Sequence, residues 1–253
     1  MIDTHCHIDD PAFDKDRLAV IERAKEAGVQ QMVVPGVTLQ EFPGLLDVAD
    51  VNIHLALGLH PLFMAQHPTD AIEQLCEWVK KVKPIAIGEI GLDYREPPDN
   101  HQQQAELFEA QLQLATEYNL PVLIHAVKAH DKVISTLKKT GFLSGGIIHC
   151  FNGSLQQGLQ YITMGFLLGF GGVVTHDRAT KIQKIAAYLP DSSLVLESDA
   201  PDLPPAGFVG RRNEPGNLPI VVERLALIRG VSKEHIINTT SSNAMKLLGI
   251  CNE

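Results

Sequence analysis

Short apolar runs rich in Ile, Val and Leu recur along this chain, each closing in a polar or glycine-rich cluster and followed by a stretch of helical periodicity. That alternation constrains the fold more than any other feature, because successive strand–helix units build parallel sheet with helices packed on it. The runs predict strands near residues 2–8, 29–35, 53–59, 85–91, 120–125, 145–150, 165–171 and 194–199. Between them DKDRLAVIERAKEAG, PTDAIEQLCEWVKKV and HQQQAELFEAQLQLATEY read as crossover helices, and in the last Phe108, Leu112 and Ala115 recur at helical spacing. Gly28, Gly141 and Gly165 each stand between a helical pattern and a strand, where a residue tolerating positive φ ends the helix. Eight such units in 253 residues predict an α/β fold, a TIM (β/α)8 barrel spanning residues 1–253 as a single domain.

No run of about eighteen uncharged apolar residues occurs, so no membrane-spanning helix is expected. The opening MIDTHCHIDDPAFDKD lacks the basic-then-apolar order of a secretory signal, which points to a cytoplasmic protein. Cys6, Cys76, Cys150 and Cys251 are scattered without a CxxC pair, fit a reduced compartment and read as packing residues. A formal net charge of -9 argues against a broad cationic face that coats nucleic acid non-specifically. It leaves room for a nuclease that grips a strand end, because bound metal supplies local positive charge. Residues 201–219, rich in Pro and Gly, form a long loop after the last strand, of the kind that is functional or mobile.

Barrel enzymes place their chemistry at the C-terminal ends of the strands, and there this sequence is one-sided. Strand one ends in His5 and His7, strand three in His60, strand four in Glu89 and Asp93, strand five in His125, strand six in His149 and strand eight in Asp199. Alternation along a strand puts Asp3, His5 and His7 on one face, with Thr4 and Cys6 on the other. The same parity groups Ile85, Ile87, Glu89, Gly91 and Asp93, then Leu123 with His125, and Val195, Glu197 and Asp199. If those faces line the lumen, six donors converge. Imidazole nitrogen and carboxylate oxygen suit Zn, Mn, Fe or Co, and carboxylate also suits Mg. A carboxylate can bridge two ions, and Glu89 is the candidate bridge. A single histidine at a strand end is more often a hydrogen-bonded rim residue than a ligand. The full combination is harder to reach by chance, and buried imidazoles and carboxylates gathered in one place call for a compensating cation.

MIDTHCHID, GLHP, IGEIGLDY, PVLIHA, HCFNGS and LESDAP stand in the order and spacing of the TatD family of metal-dependent hydrolases, a branch of the amidohydrolase-like barrels, and the chain resembles that family over its whole length. INTTSSNAMKLLG looks like the family's closing helix. The resemblance implies two divalent metal ions (Zn, Mg or Mn), one held by His5, His7, Glu89 and Asp199, the other by Glu89, His125 and His149. It implies hydrolysis of DNA phosphodiesters, with several members acting as 3'-to-5' exonucleases, on DNA or a small phosphoester. Neither a membrane nor an obligate protein partner is implied. One departure stands out: IHAVKAHD places Val127 where relatives carry Arg, with Lys128 beside it. Lysine grips phosphate as a point charge rather than as a fork.

The expected mechanism uses a metal-activated water, with Asp199 orienting it and taking its proton, and with Lys128 near the charge building on phosphate. His60 and Asp93 are expected to orient ligands or substrate, or else to cap their strands through the backbone. Tyr94 and Arg95 could touch substrate or lie in a solvated loop, and Arg211 and Arg212 could meet a phosphate or remain surface residues. Cys6 and Cys150 have the parity opposite to the donors and are expected to pack. Two other classes stay open: an amidohydrolase cleaving a C–N or ester bond of a small metabolite, and a non-catalytic metal-binding protein.

Overall fold

The computed structural model describes residues 1–95 and 98–250, so Cys251 lies outside the described residues. Eight parallel strands follow in chain order: β1 (Ile2–Asp3), β2 (Gln31–Pro35), β3 (Ile53–Leu57), β4 (Ala86–Asp93), β5 (Val122–Val127), β6 (Gly146–Ile148), β7 (Phe166–Phe170) and β8 (Leu194–Leu196). Each pairs with its neighbour in sequence. The sheet closes where Thr4 N donates to Leu196 O and Asp199 N donates to His5 O, both at 2.9 Å. The helices are α1 (Arg17–Glu26), α2 (Phe42–Val48), α3 (Ala71–Val82), α4 (His101–Glu117), α5 (His130–Thr140), α6 (Leu155–Thr163), α7 (Thr180–Tyr188), α8 (Leu218–Arg229) and α9 (Lys233–Leu248). This is the expected (β/α)8 barrel. Gly28, Gly141 and Gly165 all take positive φ at the ends of helical turns.

Period-two strands sort their side chains into two layers. Inside, Ile2, Val33, Ala56, Ala86, Leu123, Ile147 and Val195 pack as one cluster, with Leu167 of β7 against it. Outside, residues such as Val34, Leu57, Ile124 and Leu168 pack against helix residues such as Leu75 and Phe108. Helix α3 shows why: its buried Ala71, Leu75 and Val79 recur every fourth residue, one face of a helix. Ala244 and Leu248 of α9 join the inner cluster. The Asn243 side chain ties that helix to Leu194 O at 2.9 Å, at the start of β8. Helix α9 therefore stoppers the N-terminal end of the barrel and leaves the C-terminal end free for a cleft. Cutting Leu123 or Ile147 back to Ala in so close-packed a lumen costs about 2–5 kcal/mol.

Alternation fails in two strands. Strand β1 stops at Asp3, and residues 4 and 5 bend. Ile2 sits in the lumen, while Asp3 is in register with Met32 of the outer layer, so Asp3 does not share a face with His5 and His7. In β4 the register with β5 slips between Ile87 and Ile90. Ile87 therefore packs outward while Glu89 turns into the barrel mouth, where strict parity had grouped them.

The loop after β8 folds back on the start of α1. Arg212 donates to both oxygens of Asp16 at 2.8 Å, to Glu214 at 2.9 Å and to Ala12 O at 2.6 Å, and its guanidinium lies 4.5 Å from the Phe13 ring. Arg212 thus locks this loop rather than waiting for phosphate, while Arg211 lies over Phe208. Hydrogen bonds from Arg212, then from Arg23, hold the Asp16 carboxyl down to about 2. A depressed carboxylate contributes stability that is present above its unfolded value near 3.9 and is lost as pH falls towards 2. Arg212→Ala should therefore melt a few degrees below the parent at pH 7, with the gap closing below about pH 4, as calorimetry across pH will show.

Candidate functional site

Helix α4 sets the positions of two strand ends before any functional side chain is considered. Gln104 and Gln111, seven residues apart, lie on its buried face among Ala105, Phe108 and Leu112. Gln111 accepts from Leu59 N at 2.7 Å and donates to Leu59 O at 3.1 Å, fixing the residue before His60. Gln104 accepts from Asp93 N at 2.9 Å and donates to Asp93 O at 3.0 Å. These two-point clasps went unpredicted; their signal was a glutamine pair two helical turns apart within an apolar stripe. A third constraint is a close approach. A Cβ on Gly58 would stand 2.6 Å from Gly88 C and 2.9 Å from Glu89 N, so only glycine lets β3 run so near the β4 slip. Glu89 N then donates to Gly36 O at 3.0 Å.

Glu89 is buried at the centre, and its two oxygens divide the histidines. Oε2 lies 3.2 Å from His5 Nε2 and 3.6 Å from His7 Nε2. Oε1 lies 2.8 Å from His149 Nε2, 2.9 Å from His125 Nδ1 and 3.1 Å from His60 Nε2. Asp199 Oδ1 approaches His5 at 3.7 Å and both His7 and His149 at 4.0 Å. The His5 and His149 rings stack with centroids 4.0 Å apart. Donor atoms of His5, His7 and Asp199, of His5, Glu89 and His149, and of His60, Glu89 and His125 lie within 4.8 Å of one another and could each hold an ion.

The supporting groups have distinct roles. Asp93 accepts from His125 Nε2 at 2.8 Å, which turns Nδ1 towards Glu89, and Asp93 is held in turn by Arg95, whose Nη2 lies 2.6 Å away. His60 Nδ1 accepts from Leu62 N at 3.1 Å, so the ring hydrogen sits on Nε2 and is donated to Glu89. His60 is thus built to hold Glu89. Asp3 accepts from Ser198 N at 2.9 Å and His5 N at 3.2 Å, joining the ends of β1 and β8.

Charge is finely opposed here. Burial alone would raise the Glu89 carboxyl, but His60, His149 and His5 pull it well below the usual range. Burial opposes a proton on His149, yet Glu89 and Asp199 outweigh it and raise that pKa to about 10. Burial, then the neighbouring His149, drives His5 down to about 3. Burial raises Asp199, and lifts Asp3 and Glu197 to about 7. Among the described residues, buried His5 Nδ1, His149 Nδ1 and Glu197 Oε2 find no hydrogen-bond partner. A buried set of imidazole nitrogens and carboxylate oxygens gathered this closely fits divalent cations, whose charge would offset the crowding of carboxylates.

Two expectations need correction. Cys6 packs in the outer layer as anticipated, but Cys150 takes φ +44° and turns its Sγ to within 3.6 Å of Asp199 Oδ2, so it faces the site. Lys128 is exposed and does not line the cleft. The cations that do are Arg95, Arg178 and Lys181. Sequence reading passed over the last two, which follow β7 and so belong to the same barrel end. Tyr94 stacks on His101 with centroids 3.8 Å apart. The cleft encloses about 810 Å³.

Comparison with known proteins gives the chain's family and its fold relatives. Residues 2–249 match the family model described as TatD related DNase. The metal-dependent hydrolase YjjV of Escherichia coli K12 is 37% identical over 98% of each chain. Its crystal structure superposes with a TM-score of 0.95, at 36% identity, over 99% of this chain and 98% of that one. The 3'-5' ssDNA/RNA exonuclease TatD of Pantoea ananatis is 33% identical, covering 99% of this chain and 100% of the relative.

Replacing Gln111 by Leu strands a buried N–H and C=O at Leu59. Each unsatisfied group costs about 1–3 kcal/mol. Gln111→Leu should lose about 2–4 kcal/mol in urea titrations, and an undiminished midpoint would remove the clasp from this account.

Proposed function

We propose, because this chain belongs to the TatD-related DNase family of metal-dependent hydrolases, that it releases nucleotides from the 3' end of single-stranded nucleic acid by hydrolysing phosphodiester bonds. The observation that supports this reading is the division of the histidines between the two oxygens of Glu89. On this reading His5, His7, Glu89 and Asp199 would hold one divalent ion, and Glu89, His125 and His149 would hold a second. Zn and Mn suit such donors, and the carboxylates also suit Mg. Bound there, the pair would supply Lewis acidity that offsets charge on the phosphate oxygens and favours loss of a proton from water.

The protein's own groups do the rest. Asp199, less enclosed than Glu89, orients the attacking water and takes its proton. Glu89 stays ionised and keeps the two ligand sets at fixed separation. His60 holds Oε1 of Glu89, and Asp93 fixes the ring of His125, so both act by positioning ligands. Glu89, His125 and His149 are buried, so each charge there counts for more.

The test uses a 5'-labelled single-stranded oligonucleotide. Stepwise shortening from the 3' end, abolished by chelator and restored by Mn or Mg, is the expected result. Asp199→Ala should slow it by about 10²- to 10⁴-fold, as removal of a proton acceptor does, with an unchanged circular dichroism spectrum. Amide or lactone hydrolysis with no action on nucleic acid would overturn the proposal, as would an undiminished Asp199→Ala enzyme.

A further inference from the structure

Six of the chain's eight arginines hold a carboxylate: Arg17, Arg23, Arg95, Arg212, Arg224 and Arg229. Arg178 and Arg211 do not, and of these two only Arg178 lines the cleft. Arg178 is exposed, and among the described residues it has no hydrogen-bond or ion-pair partner. Lys181, three residues on, lines the same wall and donates only to Asn152 O at 3.3 Å. In a chain of net charge -9 this is a pointed exception. Among the described residues neither of these two cations, which share a cavity with the Glu89 cluster, forms an ion pair. Both are therefore available to a counter-charge on a ligand.

The ligand's class follows from what else lines the cleft. The floor at Glu89, where the ions would sit, accounts for the phosphate being cleaved, and it is made of other residues than this lip. A second anionic group on the same ligand is therefore required. Leu62 and Val173, both lining the cleft, are large apolar residues left exposed, which suits the faces of bases or sugars more than a small hydrophilic ester. We infer that Arg178 and Lys181 form a subsite for the phosphate next to the scissile one, on the part of the strand that stays bound after each cut. The inference rests on the phosphodiesterase reading of the floor. It makes the cleft selective for a polymer with consecutive phosphates over a substrate with one.

The double variant Arg178→Ala/Lys181→Ala, compared with the parent as metal-loaded enzyme, tests this. With a single-stranded oligonucleotide, KM should rise about tenfold or more, because charge-assisted hydrogen bonds to phosphate are lost, while kcat changes little. The slope of log affinity against log salt should become shallower by about 0.7, the value for one phosphate contact on a single strand. With bis(p-nitrophenyl) phosphate, which carries one phosphodiester and no neighbour, the two enzymes should behave alike. An unchanged oligonucleotide KM and salt slope overturns the subsite, and so does an equal loss on both substrates. If the parent cleaves neither substrate, the functional reading fails separately. Fluorescence anisotropy with an oligonucleotide carrying hydrolysis-resistant phosphorothioates then decides the subsite: the same slope difference supports it and identical slopes overturn it.

Discussion

A carboxylate buried among five imidazoles is the constraint on which the rest of the structure depends. Glu89 cannot sit in a low-dielectric barrel mouth without partners, and its five partners come from four strand ends: β1's end supplies His5 and His7, β3's His60, β5's His125 and β6's His149. The contacts require several backbones to stop at the right height. The β4 slip rotates Glu89 inward, Gly58 lets the neighbouring strand come close, and the α4 glutamines hold the ends of β3 and β4 by their backbones. Helix α9 seals the opposite end, so solvent reaches the polar mouth rather than the apolar lumen.

The sequence was legible wherever a simple period governed it. All eight strands fell where the Ile, Val and Leu runs stood, because a strand buried on both faces needs apolar residues throughout. His5, His7, His60, Glu89, Asp93, His125, His149 and Asp199 were placed at strand ends by the same reading, and the structure brings them together. The failures cluster where regular backbone ends. Asp3 and Ile87 were assigned to the donor face by unbroken alternation, but β1 bends after two residues and β4 slips in register. Positive φ at Cys150 likewise turned a side chain that parity had directed elsewhere. Lys128 was read as neighbouring the site because it is near His125 in sequence. It also takes positive φ and points to solvent, while Arg178 and Lys181, which do line the cleft, come from a segment about fifty residues later.

Helix α4 shows a different limit. Its apolar residues announced a crossover helix, but Gln104 and Gln111 looked like ordinary polar positions on it. Their use becomes visible only when the strand ends they clasp are known, since a side-chain amide recognises backbone wherever it is left unpaired. Burial at these positions serves precision rather than hydrophobic area. Two amides spend four hydrogen bonds on holding the heights of His60 and Asp93, and through them the orientation of Glu89 and His125.

The central claim is that Glu89 is shared by two cations, one on each oxygen. Anomalous scattering from crystals soaked in Mn tests it most directly. The account predicts two peaks flanking the Glu89 carboxylate, one beside His5, His7 and Asp199 and the other beside His125 and His149. A single peak that leaves either group without metal, or peaks remote from Glu89, would contradict it.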